Sequence, residues 1–279
     1  MPLTLSLNTA ARYVQFVLSR DGVLLCAQNW LTKGGGTELL APALEHACRR
    51  MGFAARDIER VACVAGPGSF TGIRLALATA AGLARANGAR QAGLNFMQCV
   101  AAGVPARPGE SIAVFIPARR GWMYSAVYVA DARGLPCPRQ DIELLPQPDG
   151  PDDSGCAGDM RERGGPRRAS HGAAGAPVSP CGSAPDYLVG EAVSAHRSFF
   201  EAAVPAGTRI MPARYDMPSA AALLALTEAA DWNAAPRDVR PLYLRDCDAV
   251  DNLDDMARMR GEDPARARAE LERLLSAGL

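Results

Sequence analysis

The sequence predicts an α/β protein built as two lobes, each opening on a run of strands and continuing with strands and helices in alternation. Three observations carry this reading. The N-terminal third holds three short apolar stretches, two of them joined by a tight turn, and then alternating helix-periodic and strand-like stretches. A Pro/Gly break, Pro105-Ala106-Arg107-Pro108-Gly109, precedes a second series that again begins with strands. The chain has 279 residues and an apolar fraction of 48%, enough for one large domain or two of ordinary size.

In order, Leu3–Leu7, Tyr13–Ser19 and Val23–Trp30 read as strands, with Asp21-Gly22 as the turn of a hairpin. Gly34-Gly35-Gly36 interrupts the chain, and Thr37 can cap a helix Glu38–Met51, whose Leu40, Leu44, Ala47 and Met51 recur at helical spacing. Gly52 supplies the stop. Ile58–Ala65 is a strand, Ile73–Asn87 a helix closed by Gly88, Gln91–Leu94 a short strand and Phe96–Gly103 a helix. This order, a meander followed by βα units, resembles a ribonuclease-H-like half.

The second series has strands at Ser111–Ile116, Trp122–Ala130 and Ile142–Leu145. Residues 147–186 are dense in Gly, Pro, Ser, Asp and Arg and cannot bury enough apolar area to offset ordering, so a disordered or mobile insert is expected there. Tyr187–Val189, a helix near Ala192–Phe200, a strand at Arg209–Met211, a helix Ala220–Ala230 opened by Pro218-Ser219, and an extended Pro241–Arg245 follow. Pro264–Leu275 reads as an amphipathic helix. The expected division is a first lobe 1–108, a second lobe 109–245 and a C-terminal tail 246–279.

Composition bounds the function. Lys+Arg and Asp+Glu balance at 30 each, so no net field recruits nucleic acid or an acidic membrane. The N-terminal residues have no basic region followed by an apolar run, and no stretch reaches membrane-span length; a cytoplasmic protein is expected. The eight Cys are scattered without a C-x-x-C pair, as buried reduced thiols would be. His46, His171 and His196 form no ligand pattern, so no metal of its own is expected. Arg119 to Tyr124 reads as a solvated turn leading into a strand in preference to an RNA contact.

The most constrained stretch is Gly66-Pro67-Gly68-Ser69-Phe70-Thr71-Gly72 and the helix after it. It is not a Walker loop, because Ile73 and Arg74 stand where Lys and Ser/Thr are needed. It lacks the G-x-G-x-x-G spacing, and Pro67 and Thr71 exclude a G-x-S-x-G elbow. What remains is a turn into a helix N-terminus capped by Ser69 or Thr71, either an anion site or a structural turn. Between Ile73 and Ala84 the only charge is Arg74, so the helix is either buried in its own lobe or meets another protein. Its small residues Ala76, Thr79, Ala80 and Gly82 allow close helix approach. Asn8 and Thr9, after the first strand, sit where a hairpin could approach a phosphate, although Asn8 is neutral.

Ala65 to Arg74 is similar to the signature of the TsaB family, also called YeaZ. Supporting matches are Leu7-Asn8-Thr9-Ala10, Glu38 to Pro42, Ile116 to Tyr124, Val189-Gly190-Glu191 and Pro241 to Arg245. The resemblance implies two ribonuclease-H-like lobes of the actin, sugar-kinase and Hsp70 type (ASKHA). It implies a non-catalytic subunit in formation of N6-threonylcarbamoyladenosine at position 37 of tRNAs reading ANN codons. The implied partners are a TsaD-like catalytic subunit and a TsaE-like ATPase, with tRNA engaged indirectly and a homodimer when the chain is alone. ATP or ADP would enter through partners. The family contact uses the two helices of the first lobe, which places Leu40, Leu44, Ile73, Ala76, Leu77, Ala80, Leu83 and Ala84 at the partner surface. Asn8 stands where many members carry Asp, and the histidine pair of the old glycoprotease label is absent. Both departures argue against the alternative of an M22-type metallopeptidase or a self-sufficient ATPase.

Overall fold

The computed structural model describes residues 2–32, 36–119, 121–148, 184–234, 238–244 and 253–276. Most of the expected insert, 149–183, lies outside the described residues, as do Gly34, Gly35, Arg120 and Arg245. The chain forms two compact units, Met1–Leu242 and Tyr243–Leu279.

The larger unit holds two sheets. In the first, β1 (Leu3–Asn8), β2 (Tyr13–Arg20) and β3 (Val23–Leu31) form an antiparallel meander, and β4 (Ile58–Gly66) and β5 (Arg90–Asn95) add in parallel, giving the order β3-β2-β1-β4-β5. In the second, β6 (Ser111–Pro117) and β7 (Trp122–Ala130) pair antiparallel, β8 (Pro136–Pro138) and β9 (Glu143–Pro146) both pair with β7, and β10 (Tyr187–Val189) and β11 (Arg209–Ile210) extend the β6 side in parallel. The second order, β11-β10-β6-β7-β8, repeats the first: a meander with parallel strands added beside its first member. That is the ribonuclease-H-like arrangement in duplicate. Asp21 and Gly22 both have positive φ, which makes the β2–β3 connection the tight hairpin that Asp-Gly predicts.

Helices α1 (Gly36–Arg50) and α2 (Phe70–Asn87) cover one face of the first sheet, and Leu3, Leu5, Leu7, Phe16 and Leu18 pack there with Leu40, Leu44, Ala76 and Ala80. Strand periodicity sends Thr4, Ser6 and Asn8 to the opposite face, yet all three are buried. The cover is α6 (Ala220–Glu228), where the Ser6 hydroxyl meets the Thr227 hydroxyl at 2.8 Å. Meanwhile α3 (Phe96–Ala101), which follows the first sheet in sequence, packs on β6 of the second. It also packs on β4, β5 and α6, so α3 lies between the two sheets.

Two helices stand where one was expected near Ala192–Phe200: α4 (Glu191–Ala195) and α5 (Arg197–Ala203), separated at His196. The C-terminal end of the expected insert is firmly held. The Asp186 carboxylate accepts from the Ser111 N–H at 2.7 Å and the Ser111 hydroxyl at 2.8 Å, so its pKa is lowered, chiefly by those bonds. The smaller unit contains α7 (Leu253–Met259) and α8 (Pro264–Ser276). Among the described residues no helix is long and apolar enough to cross a membrane.

Candidate functional site: the glycine turn and the helices it positions

The turn from β4 into α2 is wedged between two other pieces of chain, and each of its glycines answers to a neighbour. A Cβ on Gly66 would come within 2.8 Å of the Leu242 carbonyl, and the Leu242 N–H donates to the Ala65 carbonyl at 2.7 Å, so the segment ending at Leu242 straps this side. On the other side lies the β1–β2 loop. A Cβ on Gly68 would meet the Ala10 carbonyl oxygen at 2.2 Å, and one on Gly72 would meet the Thr9 carbonyl oxygen at 1.8 Å. This close approach is cemented by two hydrogen bonds of 2.6 Å, from Ser69 N–H to the Ala10 carbonyl and from the Thr9 hydroxyl to the Gly72 carbonyl. The turn is thus a structural junction between the β1–β2 loop and the Leu242 segment.

Ser69 is the N-cap, its hydroxyl accepting from the Gly72 N–H at 3.3 Å, and α2 starts at Phe70, one turn earlier than the apolar run suggested. The Arg74 guanidinium lies over the Phe70 ring at 3.6 Å. Gly88, with φ of 70°, ends the helix in a left-handed cap.

Asn8 and Thr9 do not present open polar groups to a nucleotide. Asn8 is fully buried, its Oδ1 accepting from the Ala10 N–H at 3.1 Å and its Nδ2 donating to Gln15 Oε1 at 3.1 Å. Gln15 passes the connection on to the Pro218 carbonyl at 2.8 Å, just ahead of the Ser219 cap of α6. The Thr9 hydroxyl is committed to Gly72. These side chains serve the fold.

The residues chosen from sequence for the partner surface need correction. Leu40, Leu44, Ile73, Ala76 and Ala80 are all buried in the chain's own core, because they line the sides of α1 and α2 that face the sheet. Leu77, Leu83 and Ala84 are half-buried at the flanks. The outward line of α2 is Phe70, Arg74, Ala78, Gly82 and Ala86, with Arg85 beside it. Arg74 and Arg85 are eleven positions apart, about three helical turns, and so mark one face; reading the outer side from them would have selected Ala78 and Gly82. The outward side of α1 carries Glu38, Ala41, Pro42, Glu45, His46 and Arg49, with Glu45 and Arg49 paired, so it is charged where an apolar face was expected.

A polar cluster missed at the sequence level connects the β1–β2 loop to the second sheet. Arg12 pairs with Glu191 at 3.4 Å, and Asp216, only 8% exposed, lies by Gly190 and Ser194. Burial raises the Asp216 pKa, outweighing the nearby Ser194 hydroxyl and Gly190 backbone, which lower it. Gly190, whose Cβ would strike the Phe115 carbonyl at 2.1 Å, brings α4 up against β6. These residues lie far apart in sequence, and no local pattern links them. Among the described residues no group of three or more His, Cys, Asp or Glu could hold a metal. The described cysteines are all free; burial alone pushes the Cys63 thiol to about 12, so it is protonated and inert.

A family model described as TsaD, tRNA N6-adenosine threonylcarbamoyltransferase, matches residues 36–250. The chain is 30% identical over 132 residues to the tRNA threonylcarbamoyladenosine biosynthesis protein TsaB of Escherichia coli (strain K12). The chain belongs to the family that this model describes, and it is similar to TsaB. The match to the E. coli relative spans 47% of this chain and 57% of that protein, just over half its length. YeaZ from Pseudomonas aeruginosa has the same fold, with a TM-score of 0.62 at 20% identity over 88% of this chain and 100% of that one. A second solved structure, a protein with similarity to peptidase YEAZ from the same organism, gives a TM-score of 0.65 at the same identity and coverage.

Proposed function

We propose that this chain is the non-catalytic subunit of an assembly that forms N6-threonylcarbamoyladenosine at position 37 of tRNAs reading ANN codons. It binds a TsaD-like catalytic subunit through the outward sides of α1 and α2. The observation that carries the reading is the outward line of α2, where Ala78 and Gly82 leave the helix backbone open to close approach inside a family whose members take part in this biosynthesis. Arg74 and Arg85 at the margins and the Glu45–Arg49 pair on α1 supply a polar rim. A TsaE-like ATPase joins the assembly, ATP or ADP enters through the partners, and tRNA is engaged indirectly. When alone, the chain pairs with itself through the same helices. The internal commitment of Asn8 and Thr9 supports a subunit that carries out no nucleotide chemistry by itself.

The test is co-purification with a TsaD-like subunit from the same organism. Ala78→Arg or Gly82→Arg is expected to weaken the complex by about 100-fold or more, since a guanidinium without a partner would be trapped in a packed interface. Both variants of the free chain should still fold, with far-UV circular dichroism like the parent's, because both positions face outward. An unaltered complex with both variants overturns the interface. Metal-dependent turnover by the isolated chain overturns the non-catalytic assignment.

A further inference from the structure

The edges of the two sheets are treated unequally. In the second sheet β11 has two residues and β8 three, too short to template pairing. In the first sheet β5 runs six residues and carries Arg90, a charge of the kind that blunts an edge. The other edge, β3, runs nine residues, Val-Leu-Leu-Cys-Ala-Gln-Asn-Trp-Leu, without a charge or a proline. It also carries three of the most exposed large apolar side chains among the described residues, Val23 at 62%, Leu24 at 47% and Leu31 at 59%. Lys, Pro and inward charges, the usual protections of an edge, are all missing; a single bulge at Leu25 is present.

The strand's geometry selects its occupant. Thr32 N–H donates to the Arg12 carbonyl, so by antiparallel alternation Gln28 and Trp30 turn their backbone groups toward β2, and Ala27, Asn29 and Leu31 turn theirs outward. Side-chain faces follow from the register with β2. Cys26, Gln28 and Trp30 share the face of Phe16 and Leu18, and Leu24, Ala27, Asn29 and Leu31 share the opposite one. A two-fold axis through Gln28 then matches every requirement at once. It pairs Ala27 with Asn29 through outward backbone groups, sets Cys26 against Trp30 on one face and, past the bulge, sets exposed Leu24 against exposed Leu31 on the other.

We propose that β3 is a self-pairing edge: two copies of this chain join antiparallel about Gln28 into one continuous ten-stranded sheet, at a surface separate from the outward sides of α1 and α2.

The experiment uses the full chain. Gln28→Cys places a thiol on the axis in a non-hydrogen-bonded pair, where opposed Cβ atoms are close enough for a disulfide. Mild oxidation is expected to give a covalent dimer whose peptide map shows a 28–28 link, while Asn29→Cys gives none at 29. In the Ala78→Arg background, which removes pairing through the helices, Leu24→Lys combined with Leu31→Lys is expected to weaken the remaining self-association, measured by sedimentation, about tenfold or more, with the far-UV circular dichroism unchanged. Ala78→Arg, which disables the α2 surface, should leave the 28–28 link intact. Absence of that link, equal linking at 29, or its loss with Ala78→Arg overturns the proposal. So does a double-lysine variant that self-associates normally and loses only a complex with a different protein.

Discussion

Replacing Gly72 by Ala tests the central claim that the glycine turn is a junction between chain segments. The two helical glycines of α2 make a matched pair. An added Cβ on Gly82 meets nothing within 4 Å, so Gly82→Ala should raise stability by up to about 1 kcal/mol from helix propensity alone. An added Cβ on Gly72 falls 1.8 Å from the Thr9 carbonyl oxygen and 2.9 Å from its carbon, both backbone atoms that cannot rotate away. Loop and helix must separate, which costs about 1–3 kcal/mol as overpacking. Separation also weakens the Thr9–Gly72 and Ser69–Ala10 hydrogen bonds, each worth about 1 kcal/mol. Against the same propensity gain, the net loss is about 2–4 kcal/mol, a large share of the roughly 5–15 kcal/mol that holds a domain folded. Urea denaturation of the isolated chain, read by far-UV circular dichroism, measures both changes on one scale. If the two variants shift the midpoint in the same direction, or Gly72→Ala leaves it unchanged, the junction reading is wrong.

Three further outcomes follow from buried and half-buried polar groups. Asp216 has a folded pKa above its ordinary value, so its stabilising contribution is present below the unfolded pKa near 4 and is lost as pH rises through the folded pKa. Asp216→Asn should therefore be as stable as or more stable than the parent at neutral pH, with the gap closing in acid, in melts taken across pH. Asp186 has the opposite sign: its lowered pKa contributes stability above the unfolded value that fades as pH falls through the folded one, so Asp186→Asn should destabilise at neutral pH and matter little in strong acid. Thr227→Val leaves the fully buried Ser6 hydroxyl without its partner and should cost about 1–3 kcal/mol, most of which adding Ser6→Ala restores in a double-mutant cycle.

Much of the fold is local and was legible for that reason. The Asp-Gly hairpin, the Gly88 stop and the Ser69 and Ser219 caps each follow from one or two residues whose chemistry allows little else. The short β8 escaped because two of its three residues are Pro, and α7 because its seven residues show too little periodicity. The placement of α6 on the first sheet could not be read linearly. Nothing near Thr227 signals that its hydroxyl will meet Ser6, since that pairing depends on a sheet the chain finished more than a hundred residues earlier. The partner surface was misplaced for a related reason. Alanine at 76 and 80 and alanine at 78 look alike in sequence; only the sheet beneath α2 decides which of them it covers.

That distinction changes what the small residues of α2 mean. Ala76 and Ala80 are small because the helix lies close on the sheet, and a larger side chain there would lift it. No such constraint acts at Ala78 or Gly82, where an added Cβ at 82 meets open space. An exposed mid-helix glycine costs stability relative to alanine and gains nothing within its own chain. The partner helix proposed above, laid against Ala78 and Gly82, would use the space that Gly82 leaves open. The junction at Gly66 to Gly72 ties the start of α2 to the β1–β2 loop and the Leu242 strap, and so fixes the orientation in which the helix presents Ala78 and Gly82.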